Sequence, residues 1–505
     1  MSDRSAPERT PATVGPHGRT GTGGQAPGSN GTGPQAVATA RGPFHVLAKP
    51  TGPICNLDCE YCFFLAKEAL YQGNRFRMAD GLLELYLRQL FEAHEGAPEV
   101  TVAWQGGEPT LMGVDFFRRV VELVQRYRRP GQVVHHTMQT NATLLTDAWC
   151  ELLAQHDFLV GVSIDGPPEL HDRYRHDKRG GPTSDHVLRG LRLLQRHGVE
   201  HNILCTVHAA NQHRPLEVYR YFRDELGARF VQFIPIVERL DPDDDRAGAA
   251  SVDGEAAGAG PGAGAASLGV TDRSVDPEAW GRFLSAVFDE WVRRDVGTVF
   301  VTQFEAALAA WAGLPASLCI FAETCGRAVA VGHNGDVYSC DHVVDPDHLL
   351  GNVATEHLVD LVESPRQVAF GEAKRDALPR SCRECPVRFV CQGECPKNRF
   401  VATPDGEPGL NYLCAGYRSH FTYVDGLMRL LVDLLRQGRH ADEVMGVLAG
   451  ARRNDPCPCG SGRKAKVCHQ RPLAERDVSL VCDRAAMGDR AARRRRTQDG
   501  DVPPD

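Results

Sequence analysis

The stretch CNLDCEYC, residues 55–62, places sulfurs at Cys55, Cys59 and Cys62. Structural zinc usually takes four protein ligands, commonly as two close pairs. A trio with no fourth thiol nearby predicts a site with one coordination position left open. The trio directly follows FHVLAKP (44–50), a short run of strand composition, and the same alternation continues along the chain. Further strand candidates are EVTVAW (99–104), QVVHHTMQ (132–139), FLVGVSID (158–165), HNILCTVH (201–208) and RFVQFIPIV (229–237). Between them lie helical patterns such as DFFRRVVELVQRY (115–127), where Phe116, Phe117, Val120, Val121 and Val124 share one face. Six βα units in succession predict an α/β fold whose parallel sheet curves into a partial barrel, with the helices outside. Active sites in that architecture gather at the C-terminal ends of strands, where Cys55–Cys62 falls.

A chain of 505 residues has room for about three domains. Its net charge of −8 leaves no basic surface for phosphate neutralisation, so no nucleic-acid partner is expected. The cationic run RAARRRR (490–496) reads as a solvated tail. No apolar stretch is long enough for a membrane span and no signal-peptide pattern opens the chain, so a cytoplasmic protein is expected. Its 17 cysteines are then better read as metal ligands than as disulfides, because cytosolic thiol pools keep such bridges reduced.

Composition divides the chain further. Residues 1–42 are rich in Gly, Pro, Thr and Ser and predict a disordered extension. The partial barrel is expected over 43–240, and an Asp, Ala and Gly-rich flexible insertion over 241–276. A cysteine-rich domain is expected over 277–440, ending in the amphipathic YVDGLMRLLVDLLRQ (423–437). A small zinc module (452–471) and a basic disordered tail (472–505) complete the chain.

Three thiolates can hold three irons of a [4Fe–4S] cube and leave the fourth free for a small molecule. The pattern C-x3-C-x2-C after the first strand, with Tyr61 before the last Cys, resembles the radical S-adenosylmethionine (SAM) superfamily. That resemblance implies SAM bound at the open iron and cleaved reductively to a 5′-deoxyadenosyl radical. QGGEP (105–109) is similar to the superfamily's glycine-rich motif, in which the backbone at Gly107 would approach the methionyl amino group. Tyr61, Ser163, Arg175 and Val237 match cofactor-binding positions; on the residues alone, Arg175 reads as a surface salt bridge and Val237 as core. Gln105 is placed either to touch substrate or to make a structural hydrogen bond. Phe64 stands where many relatives carry Tyr.

The second region runs Cys319-x5-Cys325-x14-Cys340, then Cys382-x2-Cys385-x5-Cys391-x3-Cys395-x18-Cys414. This resembles the SPASM domain of the anaerobic sulfatase-maturating enzymes, over nearly all of residues 44–425. The resemblance implies one auxiliary [4Fe–4S] cluster on Cys319, Cys325, Cys340 and Cys395, and a second on Cys382, Cys385, Cys391 and Cys414. That makes three clusters in all; by spacing alone, zinc remains open for these eight thiols. Asp341 matches the family's catalytic aspartate, whereas without the match it reads as a solvated turn residue. The implied reaction oxidises a Cys or Ser of a sulfatase polypeptide to Cα-formylglycine, with Asp341 taking the thiol or hydroxyl proton. Electrons would come from a donor such as a ferredoxin or flavodoxin. From reference pKa values, proton transfer from Cys to Asp is uphill by about 4.6 units, on the order of 6 kcal/mol, so it is expected to follow or accompany hydrogen abstraction. Another SPASM-type peptide maturase, forming a thioether or modifying a precursor peptide, is the alternative.

NDPCPCGSGRKAKVCHQ (454–470) resembles the SEC-C motif, implying structural Zn2+ on Cys457, Cys459, Cys468 and His469 and docking to a protein partner. Cys150 and Cys205 fall in predicted elements and read as small buried hydrophobes; Cys482 is left unassigned.

Overall fold

The computed structural model describes residues 40–71, 76–240 and 269–469. The extension through residue 39, the insertion from 241 to 268, and everything beyond 469, including Cys482 and the cationic run, lie outside them.

All six strand candidates form strands: β1 (His45–Lys49), β2 (Glu99–Trp104), β3 (Val133–Thr140), β4 (Leu159–Ser163), β5 (His201–Val207) and β6 (Phe230–Pro235). Each pairs in parallel with the next in chain order. The crossovers carry α1 (Asp80–Ala93), α2 (Val114–Tyr127), α3 (Asp147–Gln155), α4 (Pro168–His171), α5 (Ser184–Arg196) and α6 (Pro215–Arg220). The helical period of α2 buries Phe117, Val120, Val121, Leu123 and Val124 against the sheet, and Phe116 is half-buried at the margin. At ~1.5–3 kcal/mol for each fully buried large apolar side chain, that stripe alone anchors α2 to the sheet. Trp104, at the end of β2, meets Phe117 edge-on with ring centroids 5.6 Å apart. Cys150 and Cys205 are fully buried within this core.

The sheet extends beyond six strands. β7 (Phe300–Val301) adds to the β6 edge, and β8 (Ala328–Gly332), β9 (Asp336–Tyr338) and β10 (Leu349–Asn352) add to the other, giving the order β10-β9-β8-β1-β2-β3-β4-β5-β6-β7. β8 runs parallel to β1 in register from His45↔Ala328 to Lys49↔Gly332. The first part of the cysteine-rich region is therefore continuous with the barrel sheet. β1 becomes an interior strand, and its Val46, Ala48 and Lys49 are buried.

The remaining helices are α7 (Pro277–Arg294), α8 (Thr302–Ala312), α9 (Leu358–Val362), α10 (Pro365–Asp376), α11 (Arg380–Arg383), α12 (Arg388–Cys391), α13 (Cys414–Arg436) and α14 (Glu443–Gly450). Asp276 caps α7 by accepting from Ala279 N at 2.8 Å, with Pro277 preorganising the first turn. Ahead of that cap, residues 269–276 run back along the end of β6. Thr271 N donates to Glu238 O and Val275 N to Ile236 O, both at 2.9 Å, while Val270 and Val275 are buried. Among the described residues no helix is long and apolar enough to cross a membrane.

Candidate active site

The loop after β1 carries Cys55, Cys59 and Cys62, each partly accessible. It is locked to the loop after β2. Glu108 N donates to Ile54 O at 2.9 Å, and Gly107 has φ +50°. A Cβ on Gly107 would lie 2.2 Å from Ile54 O, and one on Gly106 would lie 2.6 Å from Lys49 Cγ. The space left by the missing side chain of Gly107 is thus filled by the cysteine loop itself. Gly107→Ala is expected to cost about 1–3 kcal/mol through backbone strain before any clash is counted. Urea unfolding should show a lowered midpoint together with poorer iron loading; an unchanged midpoint would refute the interlock.

Beneath this contact Glu108 is fully buried and accepts from Thr110 N (3.0 Å), Thr110 Oγ1 (2.6 Å), Thr140 Oγ1 (2.7 Å) and Asn141 N (2.8 Å). Burial pushes its carboxyl above the ordinary value, against the pull of those donors. The clamp fixes the ends of β2 and β3, so that Asn141 Nδ2 reaches Asn56 Oδ1 at 2.9 Å and Cys55 Sγ at 3.7 Å.

A second buried network supports Cys59 and Tyr61. Asp165, two residues past β4, accepts from Arg175 Nε (2.8 Å), Arg175 Nη2 (3.1 Å), Thr206 N (2.9 Å) and the Tyr61 hydroxyl. Burial opposes ionisation of Asp165, yet the Arg175 guanidinium holds it well below the usual carboxylate range. Arg175 forms a buried ion pair rather than the surface pair read from its sequence setting; burial pushes the Cys59 thiol up to about 11, against the pull of the Arg175 charge. Ser163 is the buried last residue of β4, and Val237 is buried just past β6. Gln105 is half-buried, with its backbone N donating to Ala48 O at 3.0 Å.

Because β8 and β9 lie beside β1, Asp341 comes over the end of β1 and forms an ion pair with Lys49. Lys49 is almost wholly buried, with its ammonium 4.1 Å from the centroid of the Phe64 ring. Burial raises the Asp341 carboxyl, and the combined charges of Lys49, His342 and Lys397 outweigh it, leaving the group below its ordinary value. Beside Phe64, the Phe63 ring has Lys397 Nζ 5.0 Å from its centroid and the His342 ring 6.1 Å away, and His342 Nδ1 lies 3.6 Å from Cys395 Sγ.

The charge that each thiol feels sorts the other eight cysteines by neighbourhood. Cys340 is pushed up to about 12 by burial first, then by Asp341, Cys319 and Cys325. Cys395 is raised by burial, Glu394, Cys340 and Cys319. Cys414 is pushed up to about 11 by burial, Cys382 and Cys385, and Cys391 is raised by burial and Cys414. Buried Lys374 donates to the carbonyls of Cys319, Ile320 and Ala322 at 2.5–2.9 Å. Arg399 donates to Gly393 O and Gln392 O, both at 2.9 Å, and so shapes the loop from Cys391 to Cys395.

Donor spacing separates two kinds of metal site. Among the described residues, only Cys457, Cys459, Cys468 and His469 bring three or more donor atoms within 4.8 Å of one another. Their Cys459 Sγ–Cys468 Sγ distance is 3.6 Å, and Cys457 Sγ and Cys468 Sγ each lie 3.3 Å from His469 Nδ1. A zinc tetrahedron with Zn–S of ~2.3 Å has S–S edges of ~3.8 Å, so this group fits a single ion. Among the described residues no three of the other thiols come that close together.

Family models match at residues 50–222 (Radical SAM superfamily), 319–386 (Iron-sulfur cluster-binding domain) and 453–471 (SEC-C motif). A serine-type anaerobic sulfatase-maturating enzyme of Bacteroides thetaiotaomicron is 43% identical over 80% of this chain and 95% of its own. The chain belongs to the anaerobic sulfatase-maturating enzymes. As a member of that family it is a radical SAM enzyme that binds SAM and iron–sulfur clusters. A cysteine-type member from Clostridium perfringens is 30% identical over 75% of this chain and 96% of its own. The solved structure of native anSMEcpe with bound AdoMet and Cp18Cys peptide superposes with a TM-score of 0.66 at 28% identity, covering 78% of this chain and all of that one. In this member of the family Lys49, Glu108 and Asp165 are the side chains that the sequence reading missed. Lys49 and Asp165 stand at or just past strand ends, a signal that only position on the sheet turns into meaning.

Proposed function

We propose that this enzyme oxidises a Cys or Ser side chain of a sulfatase polypeptide to Cα-formylglycine in the cytoplasm under anaerobic conditions. The observation that carries this reading is the ion pair of buried Lys49 with half-buried Asp341, which stands at the end of the strand that leads into the Cys55–Cys62 loop and next to Cys340. Cys55, Cys59 and Cys62 would hold the SAM-binding cube. Cys319, Cys325, Cys340 and Cys395 would hold one auxiliary cluster, and Cys382, Cys385, Cys391 and Cys414 the other. SAM bound there would supply the radical chemistry that takes a hydrogen atom from the substrate side chain.

The chain's own part is proton handling and positioning. Asp341 accepts the thiol or hydroxyl proton, and Lys49 keeps it ionised and aimed. Because Lys49, His342 and Lys397 hold Asp341 below its ordinary value, they widen a proton-transfer gap that is already about 4.6 units from reference values. Deprotonation therefore accompanies or follows hydrogen abstraction, which acidifies the neighbouring group. The electron released would leave through the clusters that the auxiliary thiols flanking Asp341 would hold, while a donor of ferredoxin or flavodoxin type would supply the electron that cleaves SAM.

Relatives of both serine and cysteine type support sulfatase maturation, and a paired assay separates the substrates. The reconstituted enzyme, given SAM and reductant, should convert sulfatase peptides of pattern C/S-x-P/A-x-R. Mass spectrometry should show replacement of hydrogen and thiol by oxygen for Cys, or loss of a hydrogen pair for Ser. A thioether or cross-linked peptide in place of the aldehyde would overturn the reading in favour of another peptide maturase.

A further inference from the structure

The group at Cys457, Cys459, Cys468 and His469 is built into the protein's own helices. α7 and α13 run side by side in the same direction, and their seam can be followed turn by turn. A Cβ on Gly416 would lie 2.0 Å from Pro277 O, and one on Gly281 would lie 2.5 Å from Gly416 O, so the two backbones touch at the start. One turn on, Ser285 Oγ and His420 Nδ1 are 3.1 Å apart. At the next, the Tyr423 hydroxyl reaches both carboxylate oxygens of Asp289 at 2.8 Å. Arg293 then pairs with Asp289 at 3.5 Å and donates to the carbonyl of His469. The last rung of the seam is thus the four-ligand module itself.

The module also seats directly on α13. A Cβ on Gly426 would lie 2.2 Å from Cys459 O and 3.1 Å from Cys459 Cβ. Glycine inside a helix costs about 1 kcal/mol relative to alanine, and here it admits the metal loop against the helix backbone. Cys457 and Cys459 are part of the main apolar core, continuous with Leu427, Met428 and Leu431 of α13. Zinc ligation supplies folding energy that a segment of this size lacks on its own.

We propose that a zinc ion on these four ligands clamps the C-terminal half of the α7–α13 pair and thereby steadies Cys414, the first residue of α13. Twelve residues separate Cys414 from Gly426, roughly 18 Å of helix at 1.5 Å per residue, a rod stiff enough to transmit the restraint. The inward face of the module serves the enzyme itself rather than a docking partner. The clamp stands on the helix geometry; its effect on iron rests on the proposed cluster at Cys382, Cys385, Cys391 and Cys414.

The test uses the full-length protein, reconstituted anaerobically, as wild type, Cys468→Ser and Gly426→Leu. Zinc per chain, hydrogen exchange and iron release to a chelator are measured on each. Cys468→Ser should lose zinc, and the segments 281–294 and 414–436 should exchange about tenfold faster. With three cubes loaded, about a third of its iron should leave early. Gly426→Leu keeps the ligands but blocks the seat, and it should loosen the same two segments. It decides the matter if Cys468→Ser unfolds throughout. Zinc loss with wild-type exchange in both helices overturns the clamp. Faster exchange with unaltered iron release overturns the link to Cys414. Iron release unaffected by Cys414→Ser in an otherwise wild-type chain overturns the ligand assignment and leaves the clamp standing.

Discussion

Asp341→Asn is expected to lower formylglycine yield about 10²–10⁴-fold, the usual worth of a positioned general base, while SAM cleavage continues. The substitution preserves shape and removes only the ability to take a proton. Because Asp341 is held below the ordinary carboxylate value, the wild-type yield should stay flat across neutral pH and fall only at strongly acid pH, as the carboxylate is protonated. Lys49→Met removes the charge that lowers it most, so the acid limb should move up in pH. Quantifying 5′-deoxyadenosine and aldehyde side by side checks both variants. Equal yields from Asp341→Asn and wild type would remove Asp341 from the reaction.

Asp165→Ala is expected to be the most damaging single change to the scaffold, at about 3–5 kcal/mol, because it strands the Arg175 guanidinium as an unpaired buried charge. It also leaves Thr206 N and the Tyr61 hydroxyl without their acceptor. Urea unfolding should register the loss, and the double variant with Arg175→Met should recover part of it, since no orphan charge remains. The depressed pKa of Asp165 makes the contribution of the pair fully present above the ordinary carboxylate value of ~3.9; it is lost only as pH falls through the lower folded value. Stability from this pair should therefore be constant between pH 5 and 8, an interval well above ~3.9. A cost near zero for Asp165→Ala would mean that the network is incidental.

Much of this architecture is legible in local pattern. Short β-rich runs and 3.6-residue stripes mark β1–β6 and α2, because each needs only neighbours within a few residues. The close-set donor groups Cys55–Cys62 and Cys457–His469 stand out in the sequence for the same reason, and the structure brings the four donors of the second together. The ten-stranded sheet is not: AVAVG (328–332) is an apolar scrap whose partner, β1, lies in the first part of the chain, and no period links them. Lys49 reads as the polar end of a strand until β8 and β9 bring Asp341 over it. Arg175 reads as a surface cation because its partner, Asp165, is ten residues away across a turn and helix α4. Gly107 reads as a place for a cofactor's approach, whereas the atom standing nearest its missing Cβ is Ile54 O, a backbone contact that leaves no compositional trace. The same limit applies to Gly426, an unremarked residue in an amphipathic run until Cys459 is seen against it.

The pairing of β8 with β1 has a consequence for biosynthesis. A ribosome delivers β1 and the Cys55 loop long before Ala328–Gly332, so the nascent barrel carries an unzipped flank with its amides facing water or a chaperone. Until that flank closes, Lys49 has no Asp341 to meet. The Cys55 loop therefore reaches its mature setting only after translation has passed Ala328–Gly332, and release of a half-made chain should yield a fragment with an open, sticky sheet edge.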